Sequence, residues 1–326
     1  MIKVQKLSKH FGKVKAVDEI SFEVAEHENL ILLGTSGCGK TTTLKMINRL
    51  IEPASGNIFI DGKNIFEQSP EILRRGIGYV LQNNGLFPHY TVAENIAVVP
   101  QLLKWDKKRT EKRVTELLEK LHLTKDYLNV YPNELSGGQQ QRIGLARALV
   151  ADPAVLLMDE PFGALDNVTR SKIHAEFKAL DELKRKTIIM VTHDVQEAFE
   201  LGDHICLMDQ GKIVQDGTPA DLLFNPKNDF VRGFLQEQRL QLEFKTIKLN
   251  QAPRPPLANG GVKKEAAQKT NNISADVSFW SALEHFKFDG VDELNIIDKE
   301  NNESWSANFE QLMSAFYQYK KQQSHE

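Results

Sequence analysis

Residues 30–41 read LILLGTSGCGKT, an apolar run that breaks abruptly into glycines. Leu30 to Leu33 carry no polar interruption and stop at Gly34, as a strand buried on both faces of a parallel sheet would. Gly34-Thr35-Ser36-Gly37-Cys38-Gly39-Lys40-Thr41 then matches G-x-x-x-x-G-K-[ST] between that strand and a helix-prone segment. Glycines at this spacing let backbone amides close around phosphate oxygens. Lys40 reaches the β- and γ-phosphates as a point charge, and the Thr41 hydroxyl is a ligand for Mg²⁺.

Three further apolar runs end in chemistry-bearing residues. Val155 to Met158 is followed by Asp159 and Glu160, which suit a metal-holding acid and a general base at the end of a buried strand. Ile188 to Val191 is followed by His193, placed to hydrogen-bond a γ-phosphate and orient Glu160 and the attacking water, with Asp194 as the next helix cap. Ile77 to Leu81 is followed by Gln82, whose amide oxygen suits Mg²⁺ or the lytic water. A second anion site lies at 135–142, LSGGQQQR, where bare amides open a polar helix.

Net charge is -3, with 41% hydrophobic and 26% charged residues, so electrostatics favour no nucleic-acid partner and the length allows two domains. No apolar stretch is long enough to span a bilayer and MIKVQKLSKHFGK lacks a secretory core, which leads us to expect a cytosolic chain. Cys38 and Cys206 are too few for a disulfide framework. Cys38 fits either a small variable residue of the glycine-rich loop or a thiol whose pKa the helix N-terminus lowers. The first thirty residues have antiparallel β character, and Ile58-Phe59-Ile60 before Asp61-Gly62 reads as a strand entering a hairpin. Val114, Leu117, Leu118 and Leu121 mark an amphipathic helix in a helical lobe. The Pro-, Gly- and Lys-rich stretch from about 241 to 272 reads as a linker before a small module at 273–326. There the expectation is a helix over Phe279 to Phe286, a strand over Leu294 to Ile297 and a helix over Phe309 to Tyr319.

The order and spacing of the glycine-rich loop, Gln82, LSGGQ at 135–139, Asp159-Glu160, Ala164-Leu165-Asp166 and His193 resemble those of ATP-binding cassette ATPases over residues 1–240. This resemblance implies an α/β fold: a P-loop NTPase core with an antiparallel β subdomain and a helical subdomain at about 88–150. It implies ATP and Mg²⁺ as cofactors, with Phe11 stacked on adenine and Gly34 through Thr42 around the phosphates. Glu160, His193 and Gln82 would be catalytic, and Thr41, Gln82 and Asp159 would serve the metal. It further implies a head-to-tail homodimer, in which Ser136, Gly137, Gly138 and Gln139 close in trans over the other copy's nucleotide and Asp166 lies at the boundary.

A cassette without membrane spans resembles the detached motor of a bacterial importer, peripheral on the cytoplasmic face of the membrane beside permease subunits and a substrate-binding protein. Gln82 to Val92 resembles the loop where such motors receive a membrane-subunit helix. The segment GTSGCGKTTTLKMINRLIEPASGNIFIDGKNI is most similar to glycine betaine, carnitine and choline importers, with polyamine and other polar-solute importers as alternatives. The tail resembles a single degenerate cystathionine β-synthase (CBS) repeat. Trp305, Asn308 and Gln311 depart from that repeat's nucleotide-binding pattern, so a regulatory, dimer-stabilising or plain packing role is expected.

Overall fold

A computed structural model describes residues 2–82, 85–163, 166–254 and 270–323. They divide into two compact units, 1–216 and 217–326. Along the first, β1 (Ile2–Phe11) and β2 (Val14–Val24) form a hairpin, and β3 (Asn29–Gly34) leads through the glycine-rich loop into α1 (Lys40–Ile47). β4 (Ser55–Ile60), β5 (Lys63–Asn64), α2 (Pro70–Arg75) and β6 (Ile77–Val80) follow. α3 (Val92–Leu102), α4 (Lys107–Lys120) and α5 (Gly137–Leu149) make the helical lobe, where Val114, Leu117, Leu118 and Leu121 are all buried. The chain then alternates β7 (Val155–Asp159), α6 (Asn167–Ala179), β8 (Thr187–Thr192), α7 (Val195–Leu201), β9 (His204–Asp209) and β10 (Lys212–Gly217).

Among the described residues the strands of this unit form two sheets, ordered β2-β1-β4-β5 and β10-β9-β3-β8-β7-β6. The first is antiparallel, as the opening thirty residues suggest. In the second, β3 runs parallel to β8 and β9, and β7 runs parallel to β6 and β8. Every residue of β7 and β8 is buried, which is why these strands read as unbroken apolar runs rather than alternating ones. Register fixes what lies at the C-terminal edge: Leu33 pairs with Thr192, Val80 with Met158 and Asp159 with Val191. The residues just beyond these pairs therefore emerge side by side, where open α/β sheets carry their ligands.

The second unit begins with α8 (Pro219–Phe224), α9 (Asp229–Leu235) and α10 (Arg239–Thr246). β11 (Thr270–Ser274), α11 (Phe279–Glu284), β12 (Glu293–Asp298), β13 (Glu303–Asn308) and α12 (Phe309–Gln323) complete it. β11 pairs parallel and β13 antiparallel with β12. Two features differ from the sequence expectation. The boundary expected near 240 falls inside this unit, and the first part of the expected linker is folded: α10 runs to Thr246, with Phe244 stacked on Phe316 at 4.1 Å between ring centroids. Glu243, fully buried, is held by Arg239 at 2.9 Å and Lys320 at 2.8 Å. FKTIKL packs through partners far along the chain, Phe316 against Phe244 and Phe279, whose amide donates to the Ile247 carbonyl at 2.9 Å. The rest of the expected linker, 255–269, lies outside the described residues. β11 and β13 are polar strands that hydrophobic patterning does not reveal.

Candidate nucleotide site

The glycine-rich loop takes a backbone path that only glycine accepts at two points. Gly34 has φ 153° and Gly39 φ 107°; a Cβ on them would lie 2.1 Å from the Met208 carbonyl oxygen and 2.3 Å from that of Ala16. α1 starts directly after Gly39 with no side-chain cap, so its first amides remain available to an anion. Lys40 is buried, and its Nζ donates to the carbonyls of Gly34 and Thr35, both at 2.8 Å, which holds the ammonium within the loop. Cys38 is also buried, and burial pushes its thiol pKa up despite Lys40 nearby, so the helix N-terminus does not make it a reactive thiolate. Thr35, Ser36 and Gly37 line the exposed side of the loop, and Thr42 follows in the first turn of α1.

Asp159 ends β7 almost completely buried, and Thr41 Oγ1 donates to its Oδ1 at 2.7 Å. Burial raises the Asp159 pKa, partly offset by the Thr41 hydrogen bond. A hydroxyl and a carboxylate meeting beside the phosphate loop form the oxygen donor set a hard cation prefers, so these residues fit Mg²⁺. Glu160 follows with φ 45°, its amide donating to Val191 O at 2.9 Å, and this turn aims the side chain across the sheet edge. Its Oε2 accepts from Gln82 Nε2 at 2.9 Å, and its Oε1 lies 3.2 Å from His193 Nδ1. Residues from two neighbouring strand ends, Gln82 and His193, thus converge on the Glu160 carboxylate, with His193 left largely exposed toward solvent.

The residues of LSGGQ form a separate, locally stabilised feature. Ser136 caps α5: its Oγ accepts from Gln139 N at 3.4 Å, and Gln139 Oε1 accepts from Ser136 N at 2.9 Å. Gln139 Nε2 is held in turn by the Tyr127 hydroxyl at 2.8 Å. Ser136 and Gly137 are exposed, and nothing lies within 4 Å of where a Gly137 Cβ would stand, so the helix N-terminus faces open space. Phe11, at the end of β1, is half exposed with Lys9 Nζ 5.4 Å from its ring centroid. Asp166 is exposed at the start of α6, where its carbonyl accepts from Arg170 N at 2.9 Å; Ala164 and Leu165 lie outside the described residues.

The loop after Gln82 presents Phe87 and Tyr90 at the surface. Buried Asn95 organises it: Nδ2 donates to the carbonyls of Phe87, Tyr90 and Thr91 at 3.1, 3.0 and 3.0 Å, and Oδ1 accepts from Phe87 N at 2.8 Å. Arg147 of α5 reaches the Gly85 carbonyl at 2.7 Å. Asn95, Arg147 and Tyr127 escape sequence reading because each looks like an ordinary helix or turn residue until its partners are folded around it.

A family model described as ABC transporter matches residues 17–163. The glycine betaine/carnitine/choline transport ATP-binding protein OpuCA of Bacillus subtilis is 47% identical over 302 residues, covering 92% of this chain and 76% of its own. The chain belongs to the ABC transporter family. The glycine betaine uptake system ATP-binding protein YehX of Escherichia coli, 42% identical, covers 96% of this chain and 99% of its own. Among solved structures, the dimeric cassette MJ0796 bound to ADP and Pi matches with a TM-score of 0.60 and 33% identity, over 67% of this ABC transporter chain and 98% of that one. No helix among the described residues is long and apolar enough to cross a membrane.

Proposed function

We propose that the protein is the ATP-hydrolysing motor of an importer for osmoprotectants of the glycine betaine, carnitine and choline type. The observation that carries this reading is the 47% identity to a glycine betaine/carnitine/choline transport ATP-binding protein over 92% of the chain, extending past the cassette into the tail. In the proposed mechanism the loop amides from Gly34 to Thr42 and Lys40 bind the phosphates, and Phe11 covers adenine. Thr41, Asp159 and Gln82 would hold Mg²⁺, which would supply charge neutralisation for the phosphates. Glu160 accepts the proton of the attacking water, Gln82 and His193 orient its carboxylate, and His193 also donates toward the γ-phosphate.

Two copies face head to tail, so that Ser136, Gly137, Gly138 and Gln139 of one close on the nucleotide of the other, with Asp166 at the boundary. The open helix N-terminus at Gly137 and the dimeric state of the similar cassette support this arrangement. The motor works peripherally on the cytoplasmic face, docked to permease subunits through the loop around Phe87 and Tyr90, and a separate binding protein delivers the solute. The β-α-β-β-α order of 270–323 supports reading the tail as one CBS-like repeat with a regulatory or dimer-stabilising role. Co-expression with the membrane and binding-protein subunits encoded beside it, in cells lacking their own osmolyte uptake, tests the reading. Salt-stimulated uptake of labelled betaine, carnitine or choline, lost with Lys40→Ala, is expected; ATP-dependent uptake of a polyamine instead would refute the solute class.

A further inference from the structure

The helices that follow the two catalytic strands are joined by a charge cluster, buried at His174 and Glu197, that none of the roles above uses. α6 follows the turn bearing Glu160, and α7 follows His193. Near their starts Arg170 Nη1 donates to Asp194 Oδ2 at 2.9 Å. One turn further along α6, His174 is only 4% exposed, with Nε2 3.7 Å from Glu197 Oε1 and Nδ1 3.4 Å from Glu200 Oε2. Glu197, 3% exposed, also accepts from the hydroxyl of Thr192, the residue before His193, and Thr192 Oγ1 in turn accepts from Asp194 N at 3.0 Å. On its other side the His174 ring meets the edge of Phe162, two residues past Glu160, at 4.7 Å between centroids. His174 is therefore one side chain, Phe162, removed from the turn that carries Glu160 and two, Glu197 and Thr192, from the residue before His193.

A neutral imidazole there would leave the buried Glu197 carboxylate without a balancing charge on this side, which is costly; an imidazolium supplies one to Glu197 and to the part-exposed Glu200. Burial lowers the His174 pKa, but the neighbouring Glu197 and Glu200 carboxylates outweigh it and raise it to about 9. The other charged pairs along the same helix, Arg170 with Asp194 and Glu176 with Arg142 of α5, are already matched. We propose that His174 is a positioning residue for ATP hydrolysis: it locks α6 onto α7 and so fixes the separation of Glu160 and His193. It rests on reading Glu160 and His193 as the hydrolytic pair. Loss of the lock lowers turnover without loosening the phosphate loop, which is built from β3 and α1.

The test uses the purified full-length protein, measuring kcat and ATP affinity from about pH 7 to 10 for the wild type, His174→Gln and Glu200→Gln, with Glu160→Gln in parallel. The wild-type kcat is expected to fall near about pH 9 with ATP affinity constant. Glu200→Gln, at the outer end of the cluster, removes one carboxylate and should move that fall by roughly one pH unit toward neutrality. His174→Gln should lower kcat about tenfold at neutral pH and abolish the fall. An alkaline limb in Glu200→Gln that superimposes on the wild type overturns the proposal, even if His174→Gln fails to fold. So does a folded His174→Gln with wild-type kcat, or one whose ATP affinity drops in step with kcat. Normal turnover by Glu160→Gln would remove the catalytic pair itself, a failure of the hydrolytic reading rather than of the lock.

Discussion

Replacing Glu160 by Gln removes a proton acceptor while preserving shape, and the surroundings allow its cost to be worked out. The carboxylate takes one hydrogen bond from Gln82 Nε2 at 2.9 Å and faces His193 Nδ1 at 3.2 Å. In the variant the amide oxygen keeps the Gln82 bond and the new NH₂ takes the place of Oε1 beside His193 Nδ1, so the side chain keeps its position. With Glu160 as the proposed general base, what disappears is general-base catalysis, worth about 10²- to 10⁴-fold, or roughly 2.7 to 5.4 kcal/mol at 1.36 kcal/mol per decade. Single-turnover phosphate release should slow by that factor. ATP affinity, measured by equilibrium titration, should stay within about threefold because the phosphate loop is untouched. A single-turnover rate within about threefold of wild type would refute the reasoning, as would a rise in the dissociation constant that accounts for the whole loss.

Three other outcomes follow from the geometry. Gly39→Ala places a Cβ 2.3 Å from the Ala16 carbonyl at φ 107°, so ATP binding should be lost, and denaturant unfolding should show the ~1–3 kcal/mol cost of backbone strain. Asp159→Asn should raise Tm at neutral pH while hydrolysis collapses. Because the fold raises this pKa, the folded state holds the proton more tightly than the unfolded chain does; ionisation therefore costs stability as pH rises from the ordinary aspartate range of about 4, and the amide removes that cost. A Tm unchanged between the two proteins at pH 7 would contradict this sign. If the LSGGQ residues act in trans, mixing equal amounts of Lys40→Ala and Gly137→Glu subunits should restore about a quarter of wild-type ATPase, since half the dimers then hold one intact site; no gain over either variant alone excludes shared sites.

Much of the first unit was legible because its signals are local. Leu30 to Leu33, Val155 to Met158 and Ile188 to Val191 are contiguous apolar runs, and each sits where the structure has a buried parallel strand. The tail was legible only in part. Phe279 and Leu294 announced their elements, but β11 and β13 consist of TNNIS and ESWSAN, whose polar residues are held by ladder hydrogen bonds to β12 rather than by burial. Folding of 241–252 was hidden for another reason: Phe244 and Glu243 find their partners in Phe316 and Lys320, more than seventy residues away.

The amino-acid order by itself determined which residue types the candidate site offers. Glycines at 34, 37 and 39 followed by Lys40 and Thr41, an acid pair after one strand and a histidine after another, carry their meaning in residue type and spacing. Only the tertiary structure decided which of these meet. Strand register brings Gln82 and His193 to the Glu160 carboxylate, and the packing of α6 beside α7 sets His174 against Glu197 and Glu200. Spacing along a chain encodes local backbone geometry, whereas the pairing of side chains from separate strands and helices depends on how a sheet orders its strands, which no short stretch of sequence contains.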